Sequence, residues 1–416
     1  VINIEDAYAD PRFNHEFDKT TGYRTRSILT VPMLDNDGQC TGVIQALNKK
    51  DGSDGTEQDT ELLLALGGSA AVSLENAHLH EDIELLFKSF IRASVYAIEA
   101  RDPTTSGHSE RVASLSVAVA AAVNKQAPPA YKDVRFSDGE LRELRYAALL
   151  HDFGKVGVRE HVLVKANKLY PHELDLLKER FEHARARAEV HFLERRAQAL
   201  EPQGLHGAAC DECAKIDDER NKALVELDEM RAFIEQCNKP TVLEQGGFER
   251  LQEIRKRTFK DGRGGDVELL SEGERLNLSI PRGSLNQQER LEIESHVTHT
   301  YEFLLKIKWT PDLARIPEIA GKHHEKLTGN GYPRAIAAAE IPPQTRIMTI
   351  ADIYDALTAS DRPYKKALPH EKAVDILMME AKKGMLDMPL LNVFIESEAH
   401  KALSDNSPWE GESWIV

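Results

Sequence analysis

The stretch LLHDFGKVGV, residues 149–158, places a histidine and an aspartate directly after an apolar run and ahead of two glycines. The apolar residues Tyr146–Leu150 predict a helix with a buried end, and neighbouring helical positions point about 100° apart. His151 and Asp152 can therefore both face a pair of metal ions beside the helix, with the aspartate bridging them. Lys155 lies four residues after His151, which predicts that it overlies the histidine on the same side of the helix. A single pair of this kind is also typical of a capped helix end.

Four further segments hold histidine or aspartate: SGHSERV (106–112), IESHVTHTY (293–301), AGKHHEKL (320–327) and TIADIYDALTASDRPYKK (349–366). With the first segment they supply five imidazoles and two carboxylates, a mixed set that suits iron or manganese. Two divalent ions in such a set acidify a bridging water, which can then attack a phosphodiester. The candidate metal ligands are His108, His151, Asp152, His296, His323, His324 and Asp352.

The length and charge of the chain limit the classes of function. A chain of 416 residues is long enough for two or three domains. The net charge of −16 disfavours DNA and anionic membranes as partners, because their phosphates would be repelled. Bound cations would still let an acidic protein hold an anionic small molecule. The four cysteines do not form a disulfide framework and we find no run suited to crossing a bilayer, so we expect a cytoplasmic location.

The first hundred residues predict a sheet followed by a long helix. SILTVPML (27–34) and CTGVIQALNKK (40–50) are strand-like, and the Asp-Asn-Asp-Gly between them favours a hairpin. Residues 56–100 are helix-like nearly throughout. An apolar stripe on that helix has the spacing of a coiled-coil seam, which favours a homodimer over packing on the helix's own domain. The stripe consists of Leu79, Ile83, Leu86, Phe90, Ala93 and Ala97.

The remainder is mostly helical and contains a long interruption. Residues 173–200 and 214–237 each carry an apolar face, and the segment between them contains glycine and proline. This pattern predicts an antiparallel helical hairpin that projects from the helical domain. We expect it to be structural or to contact a protein partner.

The first segment resembles the second half of a GAF domain. The resemblance lies in DAYADPRFN (6–14), TGYRTRSILTVPM (21–33), GVIQALNKK (42–50), EQD (57–59) and LENA (74–77). Asn48, Lys49 and Asp59 match residues that many GAF domains of phosphodiesterases carry. The phenylalanine and glutamate expected beside them are replaced, the latter by Thr60. The resemblance implies a sensory domain whose ligand the sequence does not identify.

The helical part resembles an HD-GYP domain, a branch of the HD phosphohydrolases known for hydrolysing cyclic di-GMP. The matching motifs are RDPTTSGHSERV (101–112), LLHDFGKVGV (149–158), IESHVTHTYEFL (293–304), HHEKLTGNGYP (323–333) and ADIYDALTASDRPYKKAL (351–368). The resemblance implies that the seven candidate ligands hold metal and that Asp152 and Lys155 are catalytic, the lysine at the leaving group. It also implies that the cyclic dinucleotide contacts Asp102, Tyr332, Arg362 and Lys365.

Two departures from the family pattern affect these expectations. Thr104 stands where members with a third metal have glutamate, so we expect two metal ions and opening of the ring to linear pGpG, with further cleavage to GMP as an extension. The signature loop has Thr328 in place of an aspartate, which removes a carboxylate and bears on loop order or rate. Asp355, one helical turn after Asp352, either orients a ligand histidine or forms a plain helix salt bridge.

We therefore expect an α+β partial GAF domain over residues 1–78, with an antiparallel sheet and helices. A linker helix (79–100) would join it to an all-α HD helical bundle (101–397) with a helical-hairpin insertion at about 181–280, followed by a tail (398–416). The predicted function is hydrolysis of cyclic di-GMP by two iron or manganese ions, regulated by the GAF domain. The alternatives are a receptor that binds a cyclic dinucleotide without cleaving it, and an HD phosphohydrolase for another nucleotide such as cyclic GMP-AMP.

Overall fold

The computed structural model describes residues 1–102, 106–200, 211–243, 246–359 and 367–403. The chain divides into two compact units, Val1–Arg92 and Ala93–Val416. A small antiparallel sheet with helices precedes a predominantly helical region, which confirms the predicted fold class.

The first unit is built on a three-stranded antiparallel sheet in the order β1-β2-β3. Its elements are β1 (Ile2–Ile4), α1 (Glu16–Thr21), β2 (Ile28–Leu34), β3 (Cys40–Leu47) and the first part of α2 (Glu57–Arg101). The β2–β3 hairpin is the predicted one, with Val31 paired to Ile44. Its turn is closed by a hydrogen bond of 2.9 Å from the Asp35 amide to the Gln39 carbonyl.

Helix α2 runs without interruption for 45 residues, as the sequence predicted. All six residues of the apolar stripe defined above are exposed. By length and composition α2 is also capable of crossing a membrane, a criterion that core helices of soluble proteins meet as well. The expectation that the chain has no segment suited to crossing a bilayer therefore stays a prediction.

Within the described ranges, the second unit consists of helices, their connecting loops and one small β-hairpin. Its helices and strands are α3 (His108–Gln126), α4 (Asp138–Leu150), α5 (Glu160–Leu163), α6 (Pro171–Leu200), α7 (Asp211–Cys237), α8 (Gly247–Arg255), β4 (Thr258–Lys260), β5 (Asp266–Glu268), α9 (Glu272–Leu278), α10 (Gln287–Leu304), α11 (Ile316–Ala320), α12 (Pro343–Thr358), α13 (His370–Lys382) and α14 (Met388–Glu396). Short 3₁₀ segments lie at Pro129–Tyr131, Phe153–Gly157, Pro311–Leu313, Ala338–Glu340 and Ala399–Leu403.

Helix α3 lies in the core of this unit and packs on both α4 and α12. The apolar residues at helical spacing supply the contact: Leu115, Leu144, Leu150 and Ile350 are all fully buried. Each such side chain contributes about 1.5–3 kcal/mol when removed from water. Helix α4 begins with a capping box, in which the Ser137 hydroxyl accepts from the Glu140 amide. This packing fixes the ends of the helices at which the polar motifs lie.

The predicted helical hairpin is present as α6 and α7. Ion pairs join Arg185 to Asp228 and Arg195 to Glu219. Residue numbers therefore rise along α6 where they fall along α7, so the two helices are antiparallel. The segment that follows adds α8, the β4–β5 hairpin and α9, which the sequence did not predict. These elements share an apolar core with the hairpin, consisting of Leu169, Leu177, Phe181, Ala184, Met230, Ile234, Cys237, Leu251, Ile254, Leu269, Leu270 and Leu278.

A buried ion pair lies at the base of this insertion. The Lys165 ammonium is 2.8 Å from both carboxylate oxygens of Glu289, the residue that also completes the capping box of α10. The Tyr170 hydroxyl donates to the same carboxylate at 2.7 Å. These hydrogen bonds compensate the Glu289 carboxylate for its removal from water.

Candidate metal centre

Five elements of the helical unit bring the seven predicted ligands together. His108 is the first residue of α3, and Asp352 lies in the middle of α12. His296 is on α10, and the two sequence pairs follow the ends of α4 and α11. Six of the seven side chains are buried and His324 is partly exposed. Apolar helices therefore hold a polar cluster inside the unit, where it is costly unless it has charged or metal partners.

The ligand atoms form two groups of three with a carboxylate between them. His108, His151 and Asp352 form one group and His296, His323 and His324 the other, with ligand atoms inside each group within 4.8 Å of one another. His151, Asp152 and His323 satisfy the same criterion and connect the two groups.

Asp152 has one carboxylate oxygen on each side. Its Oδ2 lies 3.8 Å from Nε2 of His108 and 3.6 Å from Nε2 of His151. Its Oδ1 lies 3.3 Å from Nε2 of His296, in the other group. This is the arrangement that a carboxylate bridging two cations requires.

Three of the histidines are oriented by carbonyl groups of their own local turn. Nδ1 lies 2.6 Å from the Ala148 carbonyl oxygen in His151, 2.5 Å from that of Ile293 in His296 and 2.7 Å from that of Ala320 in His323. Since a carbonyl only accepts, Nδ1 carries a proton, and in the neutral ring Nε2 then keeps its lone pair. Within the described part of the chain, Nε2 of His323 is buried with no hydrogen-bond partner, and His296 Nε2 forms none of acceptable geometry. Buried lone pairs of this kind fit a metal cation.

His108 is oriented differently, by side chains. Its Nδ1 lies 2.7 Å from Oδ2 of Asp355, and its Nε2 lies 3.3 Å from Oδ1 of Asp352. Arg111 donates to Asp355 from Nε at 2.6 Å. Of the two roles considered for Asp355, the geometry favours orientation of the histidine, with Arg111 holding the carboxylate in place.

The protonation states of most of the cluster suit metal binding. Burial lowers the pKa of His324 to about 3 and holds that of His323 well below its ordinary value, with the neighbouring histidines adding to the second effect. Burial opposes the charge of Asp152, but Lys155 and the adjacent histidines outweigh it and hold its pKa well below the usual range. Metal ligands must be deprotonated, so neutral imidazoles beside an ionised carboxylate are ready to bind.

His108 is the exception in the protein without metal. Burial disfavours its charged form, yet Asp352 and Asp355 outweigh burial and raise its pKa to about 9. A cation that binds through Nε2 would displace this proton. His108 is therefore the ligand at which metal competes with a proton.

The predicted placement of Lys155 over His151 is wrong. Helix α4 ends at Leu150, and residues Phe153–Gly157 continue as a 3₁₀ segment, in which every third side chain is aligned. Lys155 consequently lies over Asp152, with Nζ 2.8 Å from Oδ2. It also donates to Asp102 at 2.9 Å. These carboxylates raise the pKa of the lysine against the effect of burial, so it stays an ammonium group.

Close backbone approach joins the His-Asp pair to α10. A Cβ on Gly154 would overlap the His296 carbonyl oxygen and lie 2.5 Å from the Thr300 nitrogen, so only glycine fits. The Thr300 hydroxyl accepts from the Gly154 amide at 2.8 Å and donates to the His151 carbonyl at 2.9 Å. Sequence reasoning passed over Thr300, although it lies one turn after His296 within a quoted motif.

The signature loop packs against the paired histidines. A Cβ on Gly331 would lie within 2.6 Å of the His324 carbonyl oxygen, which again permits only glycine. Glu325 is buried, and its carboxylate accepts from the amides of Arg334 at 2.7 Å and Ile336 at 3.2 Å. Glu325 thus orders the exit of the loop, a role the sequence reasoning missed. Its position directly after the histidine pair was the available signal.

The predicted substrate residues are placed only in part. The Tyr332 ring lies 4.8 Å from the ring of His324, at the edge of the cluster. Asp102 is buried and accepts from Lys155, so its contact with substrate stays a prediction. Arg362, Lys365 and the departure at Thr104 lie outside the described residues. Thr328 donates to the Asn330 side chain at 2.6 Å, which keeps a polar contact at the loop's changed position.

Comparison with family models assigns both parts of the chain. A GAF-domain model matches residues 1–74, and HD-domain models match residues 105–216 and 271–390. The two HD-domain matches together cover more than half of the chain and leave out most of the segment from α7 to β5.

Several curated relatives are cyclic nucleotide phosphodiesterases by name. The chain is 45% identical over 95 residues to 3'3'-cGAMP-specific phosphodiesterase 3 of Vibrio cholerae, which is 23% of this chain and 20% of the relative. It is 35% identical over 115 residues to 3'3'-cGAMP-specific phosphodiesterase 1 of the same species, 28% of this chain and 26% of the relative. It is 40% identical over 87 residues to dual 3',5'-cyclic-AMP and -GMP phosphodiesterase 11 of Drosophila melanogaster, 21% of this chain and 6% of the relative.

The chain thus spans about a quarter or less of the length of these relatives. The domain matches extend over both compact units, and the metal-binding geometry lies inside the HD-domain matches. The chain therefore carries HD-domain sequence in its helical unit and a GAF domain ahead of it.

Proposed function

We propose that the helical unit is a metal-dependent phosphodiesterase that opens a cyclic dinucleotide, with 3'3'-cyclic GMP-AMP as the preferred substrate. The observation that carries the proposal is Asp152, whose two carboxylate oxygens face two separate groups of histidines. The names of the Vibrio relatives favour the cyclic GMP-AMP alternative over the cyclic di-GMP expected from the family resemblance.

The donor set indicates which residues would hold the two cations. His108, His151 and Asp352 would bind one, His296, His323 and His324 the other, and Asp152 would bridge them. Nitrogen-rich sites with a few carboxylates suit iron or manganese. When bound, such ions supply a Lewis acid for the phosphodiester and acidify a water molecule.

The residues around the cations have separate tasks in this proposal. Lys155 is an ammonium held between Asp102 and Asp152, and it would hydrogen-bond to the leaving oxygen as negative charge develops there. Tyr332 at the edge of the cluster would pack against a base or ribose of the substrate. Arg362 and Lys365 would contact the dinucleotide, as the family resemblance implies.

The proposed reaction is confined to ring opening. The product is a linear dinucleotide with one terminal phosphate, because Thr104 replaces the glutamate associated with a third metal. Further cleavage to mononucleotides is not part of the proposal.

The rest of the chain would regulate this activity. We place the GAF domain at residues 1–78 as a sensor, with the linker helix at 79–100, the catalytic domain at 101–397 and its insertion at about 181–280. The exposed apolar stripe on α2, with alternate spacing of four and three, would pair with the same stripe of a second copy. A cytoplasmic location and a protein partner for the α6–α7 hairpin complete the proposal.

A substrate panel tests the proposed function. The protein, loaded with Fe²⁺ or Mn²⁺ without oxygen, is incubated separately with cyclic GMP-AMP, cyclic di-GMP and cyclic di-AMP, and products are identified by mass spectrometry. We expect a linear dinucleotide from cyclic GMP-AMP at the highest kcat/KM. A higher value for cyclic di-GMP would contradict the substrate preference. Tight binding without turnover of any of the three would establish the receptor alternative.

A further inference from the structure

The last turn of α2 ends against both sides of the metal centre. Three polar side chains lie at this end: Glu99 and Arg101 in the helix, and Asp102 directly after it. None of the three is a candidate metal ligand. Glu99 contacts the segment that leads into His108, and the other two contact the segment around Lys155. All three belong to the helical unit.

Glu99 supplies a helix cap from a different helix. Helix α3 begins at His108, and the preceding residue is Gly107, which has no side chain with which to cap the helix. The first amides of a helix lack acceptors within it, and its amino-terminal end attracts negative charge. The Glu99 carboxylate accepts from the Gly107 amide at 3.0 Å. The start of α3, and His108 with it, is therefore held by a carboxylate on α2.

The environment of Glu99 makes this contact sensitive to substitution. Burial raises the pKa of its carboxyl, while the amides of Gly107 and Ser109 oppose that effect. Its Oε1 is buried with no hydrogen-bond partner inside the described ranges. The Glu99 carboxylate is therefore held mainly by backbone amides, and a substitution at this position removes that contact.

Arg101 and Asp102 hold the other side of the centre. Arg101 donates to two carbonyl groups that follow Lys155 in the chain, that of Val156 at 2.5 Å and that of Val158 at 3.2 Å. Asp102 accepts from the Lys155 ammonium at 2.9 Å. The end of α2 and the residue directly after it thus hold both the backbone that follows Lys155 and the charged end of its side chain.

We propose that Glu99 and Arg101 are positioning residues, through which the last turn of α2 sets the placement of His108 and Lys155 together. The inference rests on the proposed two-cation centre. Because α2 is continuous from Glu57, a displacement of this helix along its axis reaches a metal ligand and the proposed leaving-group lysine in one movement. The last turn of α2 is then the input by which the centre is regulated.

Metal binding by Glu99 variants tests the first half of the proposal. Metal-depleted wild type, Glu99→Ala and Glu99→Gln are titrated with Mn²⁺ by calorimetry, and spin coupling between the two ions is followed by electron paramagnetic resonance. We expect about a tenfold weaker second Mn²⁺ in Glu99→Ala, the scale typical of residues that orient metal ligands. Glu99→Gln should lose less, because its amide oxygen still accepts from Gly107. Glu235→Gln, the same exchange at an exposed position on α7, should match wild type.

Hydrogen exchange without metal gives a second readout that does not depend on turnover. The amides of residues 107–111 should exchange faster in Glu99→Ala than in wild type, with Glu99→Gln between them. Wild-type Mn²⁺ affinity and wild-type exchange in both Glu99 variants would overturn the proposal. A wild-type protein that binds two Mn²⁺ ions but hydrolyses no cyclic dinucleotide would defeat only the proposed function.

Steady-state kinetics test the second half. Arg101→Met should lower kcat about tenfold and leave KM nearly unchanged, because Lys155 acts on charge that develops only in the transition state. Arg101→Lys keeps one donor and should restore part of kcat. Equal kcat values for all three proteins would exclude Arg101 as a positioning residue.

Discussion

Four of the five histidines of the candidate metal centre are anchored in one of two ways. His151, His296 and His323 each bond through Nδ1 to a carbonyl group three residues earlier in the chain. Nδ1 of His108 instead contacts Asp355, whose carboxylate Arg111 holds in place, and Glu99 caps the start of its helix. A backbone anchor cannot be removed by a substitution at another position, whereas a side-chain anchor can. The His108 side is therefore the adjustable half of the centre.

The bridging carboxylate belongs to both halves, so its removal should have the largest effect. Asp152→Ala deletes the oxygens that face both histidine groups. We expect the metal content of the purified protein to fall from two ions to less than one per chain, and kcat to fall by roughly a thousandfold or more. Elemental analysis and the substrate assay measure both.

Asp228→Ala is the matched control for that substitution. Asp228 lies on α7 with a half-exposed side chain paired to Arg185. Its loss should leave metal content and turnover at wild-type values. Hydrolysis at the wild-type rate by Asp152→Ala would remove Asp152 as the bridge.

Asp355→Ala should produce the next largest effect and separate the two kinds of anchor. The change leaves His108 without the acceptor of its Nδ1 proton. We expect Mn²⁺ to bind about 10-fold to 100-fold more weakly at one of the two sites, with the other unaffected. Calorimetric titration distinguishes the two sites.

The control for Asp355→Ala is Asp375→Ala at an exposed position on α13. Equal weakening of both sites by Asp355→Ala would mean that the two halves of the centre are not independently anchored.

Thr300→Val should affect stability rather than metal selectivity. The Thr300 hydroxyl lies between the Gly154 amide and the His151 carbonyl, and valine leaves both buried groups unpaired. We expect a loss of about 1–3 kcal/mol in the free energy of unfolding, measured by urea denaturation of the metal-free protein. Thr298→Val, on the same helix and partly exposed, provides the comparison. A selective loss of one metal with unchanged stability would contradict this assignment.

The smallest effect is expected on the insertion. Arg185 and Asp228 pair across α6 and α7 at 2.7 Å, with both side chains at least a third exposed. Solvent and side-chain entropy cancel most of the attraction in such pairs. Arg185→Ala should leave the thermal unfolding midpoint within experimental error of wild type. A clear fall in that midpoint would show that the hairpin depends on its surface charges more than on its apolar core.

Much of the centre could be predicted from the sequence because its ligands lie in short motifs. The structure brings the seven candidate ligands together and contains the β2–β3 and α6–α7 hairpins, all of which residue type and spacing had indicated. The orienting groups were harder to identify. Glu325 and Thr300 were passed over because a buried acceptor and a buried hydroxyl have no periodic signature.

Local geometry caused the clearest error. The placement of Lys155 assumed that α4 continues past His151, whereas it ends at Leu150 and tightens into a 3₁₀ segment. Tertiary contact decides this change, since Gly154 has to meet the backbone of α10 without a side chain. The base preference of the proposed substrate stays a proposal, because guanine and adenine differ by only a few contacts.

The separation between the tip and the base of the insertion has an evolutionary consequence. The tip of the α6–α7 arm is remote in sequence from the Lys165–Glu289 pair at its base, and Glu289 also caps the helix that carries His296. Mutations near the tip can therefore accumulate, or the arm can change length, without disturbing the candidate metal centre. Mutations at the base face purifying selection. We expect the arm to diverge quickly among related proteins and its two attachment points to change slowly.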